Sequence, residues 1–264
     1  MCFNYCLFCT LQSISLIVGG GDLGSKTGIP GMIASEIGSK IVSGALKPGV
    51  VLDGEVEACG ERSVSRSAYR EAVRILVAKG LLESRPKVGT RVTQVRSWHL
   101  FDTDLLSWMF AQEPPSDLLA NLFELRKLIE PEAAGLAAVR RSPQQLARMG
   151  SALELMTRDT LHTESGRAAD EVFHSTLLSA SENIFLVTIS TGITAAITWS
   201  TLFKARTHRL DRDALPDHVK VFEAIAARDV NAARTTMLSL INLAYSDCTL
   251  PRTRANAPKR RARR

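Results

Sequence analysis

Apolar residues after residue 31 recur at helical intervals over most of the chain. Ile33, Ile37 and Ile41 are four residues apart, which places them on one face of a helix that ends near Gly44. The segment GEVEACGER predicts a short second helix, and SVSRSAYREAVRILVAKG predicts a third that follows a serine cap. LLESRPKVGTRV predicts two short strands joined by a basic turn. This order predicts a winged helix-turn-helix domain over residues 29–97.

The chain after the wing has helical periods only. Residues 98–115 predict a linker helix that ends at two prolines. LLANLFELRKLIEPEAAGLAAVRR predicts a long amphipathic helix, and the segments from SPQQLARMGSALELM to DVNAARTTMLSLINLAYSD predict a series of further helices. The fold class is therefore expected to be mainly α, with an all-helical bundle over residues 116–250 behind the winged module.

Composition and charge fit a soluble protein with a polyanionic partner. The 264 residues include five cysteines, an odd number that does not suit the paired disulfides of a secreted protein. A cytoplasmic location is therefore expected, without a membrane partner. The net charge of +6 is uneven: residues 29–97 carry +4 and residues 98–250 carry −5. Residues 251–264 carry seven basic groups and no acid, which predicts a disordered basic tail.

Residues 1–28 share no pattern with the rest of the chain. Cys2, Cys6 and Cys9 have the spacing C-x3-C-x2-C, which resembles the cluster-binding loop of radical-SAM enzymes. Such enzymes place this loop after a first barrel strand and continue with alternating strands and helices, whereas this chain is helical from Trp98 onward. We therefore interpret residues 1–28 as a disordered leader, or as the product of a start codon assigned too far upstream.

The N-terminal turn of the third predicted helix carries candidate DNA contacts. They are Ser65, Arg66, Ser67 and Arg70. In helix-turn-helix proteins the first residues of the recognition helix meet base edges, and arginine is a frequent partner of guanine. A solvated basic helix end is the simpler interpretation, but the predicted wing adds Arg85, Lys87 and Arg91 to the same short module.

The run from PGVVLDGEVEACGER through SVSRSAYREAVRILVAKGLLESRPKVGTRV resembles the DNA-binding module of GntR-family bacterial transcription regulators. The resemblance implies a homodimer that binds operator DNA, usually as a repressor. It also implies DNA contacts from the third helix and from the wing. The predicted contacts are Ser65, Arg66, Ser67, Arg70, Arg85, Lys87 and Gly89. Val56 is not among them. Some family members carry a basic residue that faces the DNA at this position, and this chain has valine there instead.

The helical remainder resembles the FCD effector-binding domain of the FadR subfamily, through ELRKLIEPEAAGLAA, DEVFH, HVKVFEAI and DVNAARTTM. The linker WHLFDTDLLSWMF resembles that of family members that regulate the catabolism of galactonate and related sugar acids. Together these resemblances imply a pocket for a small carboxylate effector and a nearby metal site.

Three residues are candidate ligands of a divalent metal. Asp170 and His174 lie one turn apart on one predicted helix, so their side chains point the same way, and His218 lies near the start of the next-to-last helix. A carboxylate with imidazoles suits zinc, nickel or manganese. Metal-binding members of the family supply a third histidine where this chain has Leu240, which predicts weakened affinity. A surface hydrogen bond between Asp170 and His174 is the alternative.

Arg126 and Trp199 complete the predicted effector site. Arg126 interrupts the apolar stripe of the long helix, where a buried guanidinium needs an anionic partner such as a carboxylate ligand. The alternative partner is Glu130, one turn further, in an exposed ion pair of little energetic value. Trp199 either lines the same cavity or belongs to the core.

The sequence as a whole predicts an effector-responsive transcriptional repressor of a catabolic operon. A metal-dependent helical enzyme with a DNA-binding appendage is a second hypothesis, although no general base or nucleophile stands out around the three metal ligands. A non-specific nucleic-acid binder that acts through the basic tail is a third hypothesis.

Overall fold

A computed structural model of the chain describes residues 28–85, 89–207 and 212–249. This described part contains ten α-helices and one antiparallel pair of strands. In chain order they are α1 Ile29–Val42, α2 Glu55–Arg62, α3 Arg66–Ala78, β1 Leu82–Arg85, β2 Gly89–Val92, α4 Thr103–Ala111, α5 Ser116–Arg140, α6 Pro143–Asp159, α7 Glu164–Ala180, α8 Ile184–Arg206, α9 Leu215–Ala226 and α10 Val230–Thr249. The mainly α prediction is confirmed.

The first three helices and the strand pair form the predicted winged helix-turn-helix. α1 packs on α3 and buries its isoleucine stripe, as its period predicts. Ser63 ends α2 in the left-handed conformation, with a φ of 51°. Ser65 caps α3, because its side chain accepts a hydrogen bond from the backbone N–H of Ala68. β1 and β2 pair from Leu82 opposite Val92 at the base of the wing.

Helices α5 to α10 form the C-terminal bundle. α5 packs along α10, α7 and α9, while α6 packs along α7 and α9. Phe123 of α5, Phe173 of α7 and Met237 of α10 are fully buried at its centre. α5 continues through Pro131 without a break, so the one hydrogen bond that proline cannot donate does not end this helix.

The linker helix α4 joins the winged module to the bundle through contacts with α1 and α8. At its N-terminal end, carboxylate oxygens of Asp102 and Asp104 each lie 2.7 Å from the Lys79 ammonium, at the end of α3. At its C-terminal end, the ring of Phe110 lies 6.4 Å from that of Phe203 on α8. α4 therefore touches both the recognition helix and a wall of the bundle.

By length and composition alone, α8 could cross a membrane. A helix in the core of a soluble bundle has the same properties, and α8 packs against α4, α5 and α7. The predicted leader up to residue 27 and the predicted tail from residue 251 lie outside the described residues, as does Lys87 in the wing turn.

Candidate functional site

The three predicted metal ligands meet in the interior of the bundle. Asp170 and His174 lie one turn apart on α7, and His218 lies in the first turn of α9; each is only 3% exposed. Asp170 Oδ1 lies 3.0 Å from His218 Nε2 and 3.6 Å from His174 Nε2. The two Nε2 atoms are 3.4 Å apart. One carboxylate oxygen and two imidazole nitrogens therefore converge on one point.

An oxygen atom lies near the Nδ1 atom of each imidazole, on the side opposite the shared point. His218 Nδ1 lies 2.8 Å from the backbone carbonyl oxygen of Ala214, and His174 Nδ1 lies 3.2 Å from Glu130 Oε2. Phe173 packs edge-on against both rings. A proton on each Nδ1 leaves the Nε2 lone pairs directed at the shared point, which is how outer groups commonly orient histidine ligands.

The donor set fits a divalent cation. Asp170 Oδ1 is fully buried and has no aligned hydrogen-bond donor among the described residues, although two imidazole nitrogens lie close to it. A carboxylate oxygen with two neutral imidazoles suits zinc, nickel or manganese. The predicted alternative, a surface hydrogen bond between Asp170 and His174, is wrong, because both side chains are buried.

Both carboxylates at the site are held in the ionised form. Burial alone raises the pKa of Asp170, but the neighbouring side chains of His218, His174 and Lys204 outweigh it and keep this pKa well below its ordinary value. Burial likewise acts to raise the pKa of Glu130, and the Arg126 guanidinium and His174 lower it overall. The site therefore presents fixed negative charge to a cation.

Arg126 lies in the bundle as predicted, but its partner is Glu130. Arg126 Nε donates to Glu130 Oε1 at 2.6 Å, and the two side chains are 4% and 0% exposed. The sequence left open a ligand contact or an exposed pair with Glu130. The ion pair with Glu130 is present, as that alternative predicts, but it is buried, so the predicted exposure is wrong. Glu130 thus connects Arg126 to His174, a role that sequence reasoning missed.

A cavity of about 20 Å³ adjoins the three metal ligands. It is lined by Arg126, Leu161, Asp170, His174, Ile197, Thr201, Lys204, Arg212, Ala214, His218, Leu240 and Ala244. Leu240, at the position expected for the missing histidine, is buried in the wall and offers no donor atom. Trp199 is not among the described lining residues; it is partly buried and packs against the core.

Sequence reasoning also missed two cations of the cavity wall, Lys204 and Arg212. The ammonium of Lys204 comes from α8, one turn after Thr201. A signal was available, since Ile197, Thr201 and Lys204 have helical spacing on one face of α8. Nothing in the sequence, however, indicates that this face meets α7 and α9.

The predicted DNA contacts of α3 share an exposed surface. Ser65, Arg66, Ser67 and Arg70 are all exposed at its N-terminal end. Arg70 Nε donates to Glu55 Oε2 at 2.8 Å, a contact with the start of α2. In the wing, Arg85 is exposed and pairs with Glu83, and Gly89 has a φ of 92°, which favours a residue without Cβ.

Comparison with protein families matches both parts of this architecture. Residues 31–92 match the model of the gntR family of bacterial regulatory proteins, and residues 121–243 match the FCD domain. The solved structure titled "Lar controls the expression of the Listeria monocytogenes agr system and mediates virulence" has a TM-score of 0.60 and 19% identity. It covers 84% of this chain and 97% of that one, which supports the fold alone.

Two relatives cover most of the chain. The galactonate operon transcriptional repressor of Escherichia coli is 33% identical, over 79% of this chain and 92% of the relative. The HTH-type transcriptional regulator LutR of Bacillus subtilis is 32% identical, over 75% and 91%. These relatives and both families are regulators, which overturns the enzyme hypothesis. The chain belongs to the GntR family of bacterial transcriptional regulators, in the FadR subfamily with an FCD effector-binding domain.

Proposed function

We propose that this protein is a homodimeric, cytoplasmic repressor of a catabolic operon, released from its operator by a small carboxylate such as galactonate. The observation that carries the proposal is the combination of two surfaces in one chain. An arginine-bearing recognition helix is exposed to solvent, and a buried Asp–His–His cluster adjoins three cationic side chains. The similarity to a galactonate operon repressor supports both the mode of regulation and the effector class.

For DNA recognition, we propose that α3 enters the major groove and that the wing follows the neighbouring backbone. Arg66 and Arg70 are the base-reading residues, since a guanidinium can bind guanine through two hydrogen bonds. Ser65 and Ser67 contact phosphates or base edges beside them. Arg85, Lys87 and Gly89 form the wing contact. Two such modules in a dimer read half-sites about one helical turn apart.

Asp170, His174 and His218 would hold a divalent metal, which supplies Lewis-acid coordination of the effector's oxygen atoms. Three protein ligands leave coordination positions open, and Leu240 adds no fourth protein ligand. The chain's own contribution is to orient the two imidazoles through Glu130 and the Ala214 carbonyl. It also keeps the Asp170 carboxyl ionised.

The size of the cavity implies that effector binding changes the bundle. A volume of about 20 Å³ holds a metal ion or roughly one or two water molecules, and a six-carbon sugar acid is larger. The effector therefore stabilises a more open arrangement of the walls, one of which is α8. Because α8 contacts α4, and α4 holds Lys79 at the end of α3, opening can alter the placement of the recognition helix.

A gel-shift titration tests the proposal. Purified protein is mixed with the DNA upstream of its own gene at fixed salt, with galactonate, lactate or the uncharged galactitol, and with or without zinc. We expect binding that random duplex does not compete away, and release by galactonate but not by galactitol. Equal binding to every duplex, lost on deletion of residues 251–264, would instead support the non-specific nucleic-acid binder.

A further inference from the structure

Lys204 differs from the other cations of the cavity because no carboxylate of the described residues pairs with it. Arg126 pairs with Glu130 at 2.6 Å, and Arg212 pairs with Asp217 at 2.6 Å and with Asp247 at 2.9 Å. Lys204 is only 5% exposed, and no carboxylate in the described part of the chain lies within ion-pair distance of its ammonium. Among the described cations of this wall, it is the one without an ion-pair partner.

The surroundings of Lys204 make an unpaired ammonium unfavourable. Burial is the largest influence on the pKa of Lys204 and lowers it, and Arg126 lowers it further. Asp170, Asp247 and Cys248 act in the opposite direction but do not outweigh burial. A buried charge without a partner is unfavourable on general grounds, so an anion that enters this cavity gains a strong contact.

We propose that Lys204, rather than Arg126, binds the carboxylate of the effector. The inference rests on the proposed function for the existence of a natural effector, but it concerns a different question, namely which residue recognises the anion. The charge of Arg126 is already balanced by Glu130, to which its Nε donates, so an anion gains less from this guanidinium than from a cation without an ion-pair partner. Lys204 has no comparable ion pair to break among the described residues.

The position of Lys204 also defines the ligand class. Its ammonium and the three metal ligands line the same small cavity, so a group bound there faces a cation on one side and the Asp–His–His cluster on the other. A carboxylate cannot bind the ionised Asp170 or the imidazole lone pairs directly, so the cluster would attract it only through a divalent metal that it holds, whereas the Lys204 ammonium attracts it directly. The recognised feature is the acid end of the effector, and the rest of an acid such as galactonate extends toward the opened wall.

Formate is a suitable probe, because it is the smallest carboxylate and needs little opening. Thermal unfolding of the full-length protein is followed against formate concentration, at one fixed zinc concentration, for wild type, Lys204→Met, Lys204→Gln and Lys204→Arg. Lys40→Met serves as a control, since it removes the same charge from an exposed position on α1. A chloride series at the same ionic strength corrects for salt.

We expect the melting temperature of wild type and of Lys40→Met to rise with formate. The apparent formate affinity of Lys204→Met and Lys204→Gln falls by about tenfold or more, the loss expected for a charge-assisted hydrogen bond. Lys204→Arg retains part of the response. Removal of the buried cation also leaves the ligand-free Lys204→Met protein at least as stable as wild type.

Two results separate this inference from the proposed function. A formate response that persists in Lys204→Met and Lys204→Gln overturns the role of Lys204, whatever the natural effector is, and so does a wild type without any formate response. A formate response that depends on Lys204, together with failure of galactonate and lactate to release DNA, leaves Lys204 as the anion contact and rejects the proposed effector.

Discussion

Two arginine–glutamate pairs, one in each domain, have nearly the same length but different surroundings. In the winged module, Arg70 lies 2.8 Å from Glu55, with side chains 63% and 30% exposed. In the bundle, Arg126 lies 2.6 Å from Glu130, with side chains 4% and 0% exposed. The exposed pair is screened by water, so Arg70 can be repositioned toward DNA at little cost. The buried pair cannot open without leaving a desolvated charge, so Arg126 is a fixed part of the site.

The largest expected effect comes from breaking the buried pair. Glu130→Ala leaves Arg126 as an unpaired buried cation and should lower the free energy of unfolding by about 3–5 kcal/mol. Equilibrium urea unfolding measures the loss. The matched control is Glu55→Ala, which breaks the exposed pair and should leave the urea midpoint nearly unchanged. Equal losses in the two variants would mean that burial does not distinguish the pairs.

A double variant sharpens the same point. Arg126→Met combined with Glu130→Leu removes both charges at similar volume, so it should recover most of the stability that Glu130→Ala loses. The urea midpoint of the double variant should lie closer to wild type than to Glu130→Ala. Failure to recover would indicate that the contact between Glu130 and His174, at 3.2 Å, carries the stability instead.

Substitutions on the exposed face of α3 should change the affinity for DNA and leave the free energy of unfolding unchanged. Arg66→Ala removes a predicted base contact and should weaken binding to the operator by roughly ten- to a hundredfold, with an unchanged urea midpoint. Arg74→Ala is the control, because Arg74 lies further along α3 and is 77% exposed beside Glu71. Full operator affinity in Arg66→Ala, measured by fluorescence anisotropy, would exclude Arg66 as a recognition residue.

The buried pair also predicts a pH dependence. The pKa of Glu130 is lowered in the folded protein, so its contribution to stability is fully present above the unfolded value of about 4.5 and is lost as the pH falls toward the folded value. Wild type should therefore lose more stability than the double variant, which lacks this carboxylate, as the pH falls from about 5 to about 3. Parallel pH profiles of the two proteins would contradict an ionised Glu130.

The smallest effect is expected at the exposed pair itself. Glu55 holds the Nε of Arg70 and leaves the terminal nitrogens of the guanidinium for a guanine. Glu55→Gln should therefore reduce discrimination between the operator and a variant site with a substituted guanine by a few-fold, in line with the small value of exposed pairs. A change in affinity for all duplexes alike would point to the lost negative charge and not to the orientation of Arg70.

Local pattern was enough to predict the elements of both domains and some of the site. The isoleucine period of α1 and the four-residue spacing of Asp170 and His174 are properties of a single helix, so they can be read directly from the sequence. The match of each domain to family motifs then brought His218 into the same set. These features depend on neighbours close in the chain, or on motifs that the sequence itself contains.

Burial and convergence were decided by the tertiary structure alone. Lys40 and Glu36 have the same i, i+4 spacing as Arg126 and Glu130, yet the first pair is exposed and the second is buried. Spacing along one helix fixes which side chains can meet, but the surrounding helices decide the dielectric in which they meet. For the same reason the role of Lys204 appears only after α8 is packed beside α7 and α9, because the pairing of a charge is defined by its distant neighbours.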